Sequence, residues 1–342
     1  MKTDWLSKLM KNRNAAIDLA KFVASLMIVA IHTGLFSDVN DTLCFTVVHI
    51  VCRVAVPFFA VCSGYFLTSR LEFGATLCKS AHNREIFLKQ WKKLAVLYGV
   101  WSVLYLFHCV PMWIATGWFS PFAFVDYAIG AVTKGSHYHF WYLWGMIYTL
   151  PVFYLLLRLC KQKYWMPVIV VLWAVKVLSY SYTMLIPGQL AEVLGKLGTA
   201  TCLLPLLLLG ALIFRQKERT LRHNIAGLVL SVIGLTVEAF ALKNFGQEAV
   251  SYLVFTLPVA YFLFCLILKV KTQEKRKVCG RLGSVSMFVY CVHPMLVEHT
   301  EDVFQNSLIH FGFAAVGSTV LGLGYTYIRK KMNRKKAELC ST

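Results

Sequence analysis

Residues 17–34 read IDLAKFVASLMIVAIHTG, an apolar run of membrane-crossing length that nevertheless carries Asp18, Lys21 and His32. A charged or titratable group in hydrocarbon costs several kcal/mol, so such residues inside a span need a reason. At about 100° per residue, Asp18, Lys21, Ser25 and His32 share one helical face. Lys21 and His32 are separated by about 16 Å along the axis at 1.5 Å per residue. Lipid against that face would be costly, so it is expected to point inward. A snorkelling lysine and an interfacial histidine give the other account of the same residues.

The rest of the chain reads in the same way. Of its 342 residues 58% are hydrophobic and only 15% charged, with mean hydropathy +0.61, well to the apolar side of soluble domains. Continuous apolar runs recur along its length, which excludes the alternating pattern of a β-barrel. The expected fold class is an all-α integral membrane protein of about ten transmembrane helices. The runs lie near 15–36, 43–68, 88–110, 138–159, 166–185, 199–214, 224–242, 249–269, 284–300 and 306–328. They form one transmembrane domain over 15–328, between an N-terminal tail (1–14) and a basic C-terminal tail (329–342). Residues 117–131, GWFSPFAFVDYAIGA, are apolar but short and broken by Pro121, and are expected to be interfacial or re-entrant. The basic start followed by an apolar stretch resembles a signal peptide, yet no small-residue cleavage site follows, so no cleavage is expected.

The net charge of +19 invites a nucleic-acid partner, and its distribution argues against one. Of the 35 Lys and Arg residues, 29 fall in alternate loops and the two tails, and only Lys134, Lys196 and Lys243 in the intervening loops. That alternation predicts an even number of spans with both termini cytoplasmic, in a multi-pass protein of the cell membrane. The eleven cysteines show no metal-ligand spacing and no His-Glu-x-x-His pattern occurs, so no metal is expected.

Polar groups recur in three further runs. The second contains RVAVPFFAVCSGYFL, Arg53 to Leu67, where Arg53 lies about ten residues in and calls for an anionic partner. Pro57 breaks the helix there, and Ser63-Gly64 permits close backbone approach. HYHFWYLWGMIY, His137 to Tyr148, sets His139 and Trp141 among aromatics, which suits either an interfacial belt or the roof of a site. SVSMFVYCVHPMLVEHT, Ser284 to Thr300, brings Tyr290, His293 and Glu298 around a Pro294 helix break. Histidines and carboxylates with an inward arginine suit acid–base chemistry.

In this order the pieces resemble the acyltransferase-3 family of integral membrane acyltransferases. The first run matches its basic residue, ten intervening positions and histidine (Lys21 to His32), with flanking Arg13 and Asp18. RVAVPFFAVCSGYFL resembles its second-span signature, HFWYLWGMIY its His-Leu/Phe-Trp-Tyr-Leu element, and SVSMFVYCVHP its Ser-x-x-x-Tyr-x-x-His-Pro element. Lys21 stands where the family more often has arginine, as in the branch similar to the membrane half of vancomycin-type serine racemases. No racemase domain follows the spans within these residues, so the resemblance implies no racemisation.

What the resemblance implies is transfer of an acyl group, most often acetyl from acetyl-CoA, to a hydroxyl of a sugar or cell-envelope glycan. The donor is a substrate, with no tightly bound cofactor, and membrane lipids surround the chain; a homodimer stays open. His32 is implied as general base or transient acyl carrier, with Asp18 and Lys21 positioning the helix or meeting CoA phosphates. Arg53 would stabilise negative charge, and Ser63, His139, Trp141, Tyr290, His293 and Glu298 would contact the acceptor or tune His32. A carrier for an amino acid or acylated envelope precursor, or a sensory protein, are the competing classes.

Overall fold

The computed structural model describes residues 14–73, 81–196, 198, 200–217, 219–246, 250–270 and 276–339. Residues 1–13 of the N-terminal tail, Arg13 among them, lie outside the described residues. All regular structure among the described residues is helical, and the chain is an all-helical integral membrane protein. The helices are α1 (Ala15–His32), α2 (Asp41–Thr68), α3 (Ala81–Ala115), α4 (Pro121–Thr133), α5 (Trp141–Leu159) and α6 (Trp165–Tyr180). They continue as α7 (Gly188–Gly195), α8 (Ala200–Arg215), α9 (Leu221–Asn244), α10 (Thr256–Lys269), α11 (Arg276–Thr300) and α12 (Ser307–Leu339). Among the described residues seven helical stretches are long and apolar enough, by length and composition, to cross a membrane: those of α1, α2, α3, α5, α6, α9 and α12. The other three expected runs also fold as helices. Two of them, Thr201–Arg215 and Thr256–Lys269, are shorter, while α11 carries Ser284, Ser286, His293 and Glu298 among its apolar residues. The apolar stretch Pro121–Leu159 is interrupted at Lys134–His137. Its first piece, α4, has 13 residues, about 20 Å, against a hydrocarbon core of about 30 Å. Ala123 of α4 packs against Cys109 and Trp113 of α3.

Two compact units organise the chain. One comprises the residues up to Ala55 together with those from Leu263 onward; the other is Val56–Phe262. In the first, α1 packs on α11, α11 on α12, and α12 on α1. Val29, Val285, Val289, Val297, Ala314 and Ala315 fill the space between these helices.

Local chemistry explains how α1 begins and ends. The Asn14 side chain accepts the Ala16 and Ile17 N–H groups at 2.9 and 3.4 Å, an N-cap for otherwise unpaired donors. At the other end Gly34 adopts φ 57°, the left-handed turn that glycine takes without a Cβ penalty. Leu35 N–H reaches Ala30 O at 3.1 Å and Gly34 N–H reaches Ile31 O at 3.4 Å. Those two bonds and the Ala30–Leu35 apolar contact make a Schellman end, which places His32 in the last helical position.

The connection Thr33–Asn40 then runs as a strap toward the start of α12. Phe36 has φ 70°, the single positive value at a non-glycine among the described residues, a conformation costing about 1–2 kcal/mol. Its N–H donates to Ser307 Oγ at 2.9 Å. Asp38 accepts the Ser307 N–H at 3.2 Å, the Asn306 amide at 3.0 Å and the Ser307 hydroxyl.

In α2 a π-helical turn, Phe45–Val51, passes into a 3-10 turn, Cys52–Val54, before α-helix resumes at Ala55. Pro57 has no N–H, so the Arg53 carbonyl loses its i+4 donor. The irregular backbone lies directly N-terminal to that proline, where departures from α-geometry are tolerated beside functional groups.

In the second unit α8 lies against both α5 and α6. Leu203, Leu206, Leu207 and Leu208 are wholly buried, as a helix apolar on every side requires. The later half of α2 meets α8 backbone to backbone. A Cβ on Gly64 would fall 2.1 Å from Leu207 O, and one on Gly210 2.1 Å from Val61 O. Small residues at a crossing allow this approach, and it strengthens packing where the hydrophobic effect between helices is absent.

Two outcomes follow from these contacts. Gly210→Ala is expected to lower thermal stability in detergent by about 1–3 kcal/mol. Gly99→Ala, at a site with nothing within 4 Å, is expected to be neutral or stabilising by helix propensity. For the strap, the hydrogen bond from Ser307 holds the Asp38 carboxyl below its ordinary value. The bond is therefore complete above the usual carboxylate range and lost only as pH falls through the lowered value. Carboxyl-carbon NMR titration of Asp38 should show the midpoint rising in Ser307→Ala.

Candidate functional site

The residues singled out by sequence divide between the two units. Asp18, Lys21, His32, Arg53, Tyr290, His293 and Glu298 belong to the first; Ser63, His139 and Trp141 belong to the second.

In the first unit α1 and α11 carry the chemistry. Asp18 is 6% exposed and Ser25 fully buried, while Leu19 and Val23 on the other side are 42% and 47% exposed. The polar stripe of α1 thus faces the protein, with Lys21 and His32 half-buried along it. Opposite Asp18 stands Gly283, where an added Cβ would lie 2.6 Å from Asp18 Cβ and 2.7 Å from Oδ1. Further along, the His32 and His293 rings lie 5.2 Å apart at 34°. The two contacts occur in the same order along both helices, so α1 and α11 run parallel.

His293 is completely buried. Its Nδ1 lies 3.0 Å from Val289 O, and since a carbonyl only accepts, Nδ1 must carry the proton. In the neutral ring Nε2 is then the basic nitrogen. Tyr290 is buried, its ring 6.3 Å from that of His293, and Glu298 is half-buried a turn and a half beyond. Arg53 is half-buried in the 3-10 turn of α2, which packs against α1. Its neighbour Cys52 and Val48 touch Ala30 and Leu35 at the His32 end of that helix. Two imidazoles with centroids 5.2 Å apart, one with its tautomer fixed by backbone, are suited to taking and returning a proton.

In the second unit His139 is 2% exposed and its Nδ1 lies 3.2 Å from Nδ1 of His137. Around them Tyr105, wholly buried, sets its ring 4.6 Å from His137, 5.1 Å from His139 and 5.4 Å from His108. The loop carrying these rings is fastened by hydrogen bonds. Tyr98 Oη donates to Ala131 O at 2.6 Å and accepts the Ser136 N–H at 2.9 Å. A Cβ on Gly135, at φ 112°, would be strained and would meet Phe140 and Trp141 backbone at 3.0 Å. Trp141 is half-buried at the start of α5. Ser63 donates to Phe59 O at 2.9 Å and is within hydrogen-bond reach of Tyr142.

Sequence reasoning overlooked Gly283, Tyr105, His108 and His137. Gly283 sits unremarked in RLGSVS, and Tyr105 and His108, three apart on α3, belong to no motif; their partners come from a loop some thirty residues on.

A membrane-embedded helical protein with paired imidazoles on parallel inward helices is the class that this fold and site define. The sequence profile of the acyltransferase-3 family, described as an acyltransferase domain, matches residues 14–327. The chain belongs to this family, and membership supports acyl transfer at a membrane as its chemistry. Among curated proteins, one from Enterococcus faecalis named amino-acid racemase is 27% identical over 355 residues, 96% of this chain and 48% of its own. A serine/alanine racemase of Enterococcus gallinarum is 27% identical over 325 residues, 87% of this chain and 44% of its own. The chain thus spans about half the length of the curated relatives it matches. No solved structure matches.

If Gly283 sets the separation of α1 and α11, Gly283→Ala should lower thermal stability by about 1–3 kcal/mol. It should also shift the ring-proton NMR signals of both His32 and His293. Unchanged imidazole signals alongside reduced stability would sever the glycine from the site.

Proposed function

We propose that the chain transfers an acyl group, acetyl in the simplest case, from cytoplasmic acyl-CoA to a hydroxyl of a sugar or cell-envelope glycan at the cell membrane. The observation that carries this reading is the His32–His293 ring pair at 5.2 Å, in a chain of a membrane acyltransferase family. His32 takes the proton of the acceptor hydroxyl, whose oxygen attacks the thioester carbonyl. The tetrahedral oxyanion collapses, the C–S bond breaks, and the thiolate of CoA leaves with a proton returned by the imidazole. In the covalent variant the His32 nitrogen attacks the thioester and expels the CoA thiolate, and the acceptor hydroxyl then displaces the acyl group from the imidazole, which takes the hydroxyl proton. His293, with its proton committed to Val289 O, offers Nε2 as a hydrogen-bond acceptor for a proton on His32 or on the acceptor. Arg53 is the group placed to stabilise negative charge on the donor or oxyanion. Asp18 and Lys21 position α1 or meet CoA phosphates, and Ser63, His139, Trp141, Tyr290 and Glu298 serve the acceptor. The 29 basic residues of alternate loops and tails would draw a polyanionic donor to one face.

A second reading, a membrane carrier for an amino acid or small polar envelope precursor, is favoured by one observation. The relatives named as racemases carry this same matched portion within chains about twice as long.

Purified protein incubated with labelled acetyl-CoA distinguishes the two. Wild type is expected to hydrolyse or transfer the label, and His32→Ala to lower the rate by about 10²- to 10⁴-fold. Absence of any turnover in wild type, with amino-acid uptake into proteoliposomes lacking acetyl-CoA, would favour the carrier. Equal turnover by wild type and variant would remove His32 from the mechanism.

A further inference from the structure

His32 is the last residue of α1, and the strap begins at the next position. Whatever holds the strap therefore acts on the end of the helix that carries the ring. The strap is held in an unusual way. Phe36 is left-handed, a conformation that a phenylalanine keeps only where its surroundings enforce it. The enforcing groups lie some 270 residues away in sequence. The Ser307 hydroxyl accepts the Phe36 N–H at 2.9 Å and donates to Asp38, and the Asp38 carboxylate also accepts Ser307 N–H and the Asn306 amide. Ser307 is 5% exposed, whereas Asp38 is on the surface.

A cap for the start of α12 would account for the carboxylate bonds to Ser307 and Asn306. It would not account for the bond from Phe36 N–H or for a left-handed phenylalanine. The Phe36 side chain packs on the cluster of Ala30, Leu35, Val48 and Cys52, which flanks His32 on α1 and Arg53 on α2. Ser307 opens α12, and α12 packs on α11, the helix of His293. One serine thus ties the end of the His32 helix to the helices that hold its partner ring.

We propose that Asp38 and Ser307 form a latch and are positioning residues for His32. Closed, the latch keeps the strap in its strained form and His32 opposite His293. Open, the strap relaxes and the two imidazoles separate. The link to catalysis rests on the acyl-transfer reading; the latch itself does not.

The test uses the full chain in detergent, with amide exchange of the strap and diethyl pyrocarbonate labelling of His32, both read by mass spectrometry. Ser307→Ala and Asp38→Asn are expected to speed exchange across 33–40 and labelling of His32, each by about tenfold. Ser307→Thr keeps the hydroxyl and should restore both. Glu192→Gln, which breaks the exposed Lys196–Glu192 pair of 3.0 Å, should change neither. Should Ser307→Ala not fold, Asp38→Asn at its exposed position carries the same readouts. A loosened strap with His32 labelled at the wild-type rate would overturn the proposal, as would unchanged exchange. With acetyl-CoA, the latch variants should lose kcat while KM for acetyl-CoA stays, and Ser307→Thr should recover it. If wild type shows no turnover, the acyl-transfer reading falls, while exchange and labelling still decide the latch.

Discussion

The Asp18 carboxylate sits inside a helical bundle, and the close approach of the Gly283 backbone helps to keep lipid from it. The contact sets the distance between two parallel helices at one end. From there α1 runs fourteen residues to His32 and α11 ten residues to His293, about 21 and 15 Å of rise, and the rings meet. A side chain at position 283 would push against Asp18 Cα and Cβ, atoms that no side-chain rotation moves, as well as against Oδ1. The buried carboxylate and the imidazole pair lie on the same helix–helix contact, and at its Asp18 end that contact leaves no room for a Cβ.

Much of this was legible from residue order. The stripe Asp18, Lys21, Ser25 and His32 follows from helical periodicity alone, and the burial of Asp18 and Ser25 agrees with it. The Pro57 break was legible because a missing N–H has a fixed consequence four residues back. What periodicity does not carry is the identity of a facing neighbour. Gly283 looks like any helical glycine until α1 lies against it. Tyr105 and His108 look like aromatic filler of α3 until the loop at 135–140 folds over them. The left-handed Phe36 was equally hidden, since phenylalanine does not announce positive φ and the serine enforcing it lies at the far end of the chain. Among the described residues seven helical stretches are long and apolar enough to cross by length and composition; the other three of the ten expected runs also fold as helices, Thr201–Arg215 and Thr256–Lys269 being shorter and α11 richer in polar residues.

The second unit spends its small residues differently. At Gly64 and Gly210 two glycines face backbone on both sides of the α2–α8 crossing. There close approach serves packing, and the leucines of α8 are buried. Its imidazoles are held instead by a loop whose backbone is bonded to Tyr98 and pinched at Gly135. The same residue types are thus positioned in one unit by helix register and in the other by a turn.

That turn has an arithmetic of its own. With Nδ1 of His137 and Nδ1 of His139 at 3.2 Å, one nitrogen must present a hydrogen and the other a lone pair. The two imidazoles of one turn are therefore not interchangeable: one is the donor and the other the acceptor, an order imposed on chemically identical rings by a loop bonded to Tyr98 and turned at Gly135.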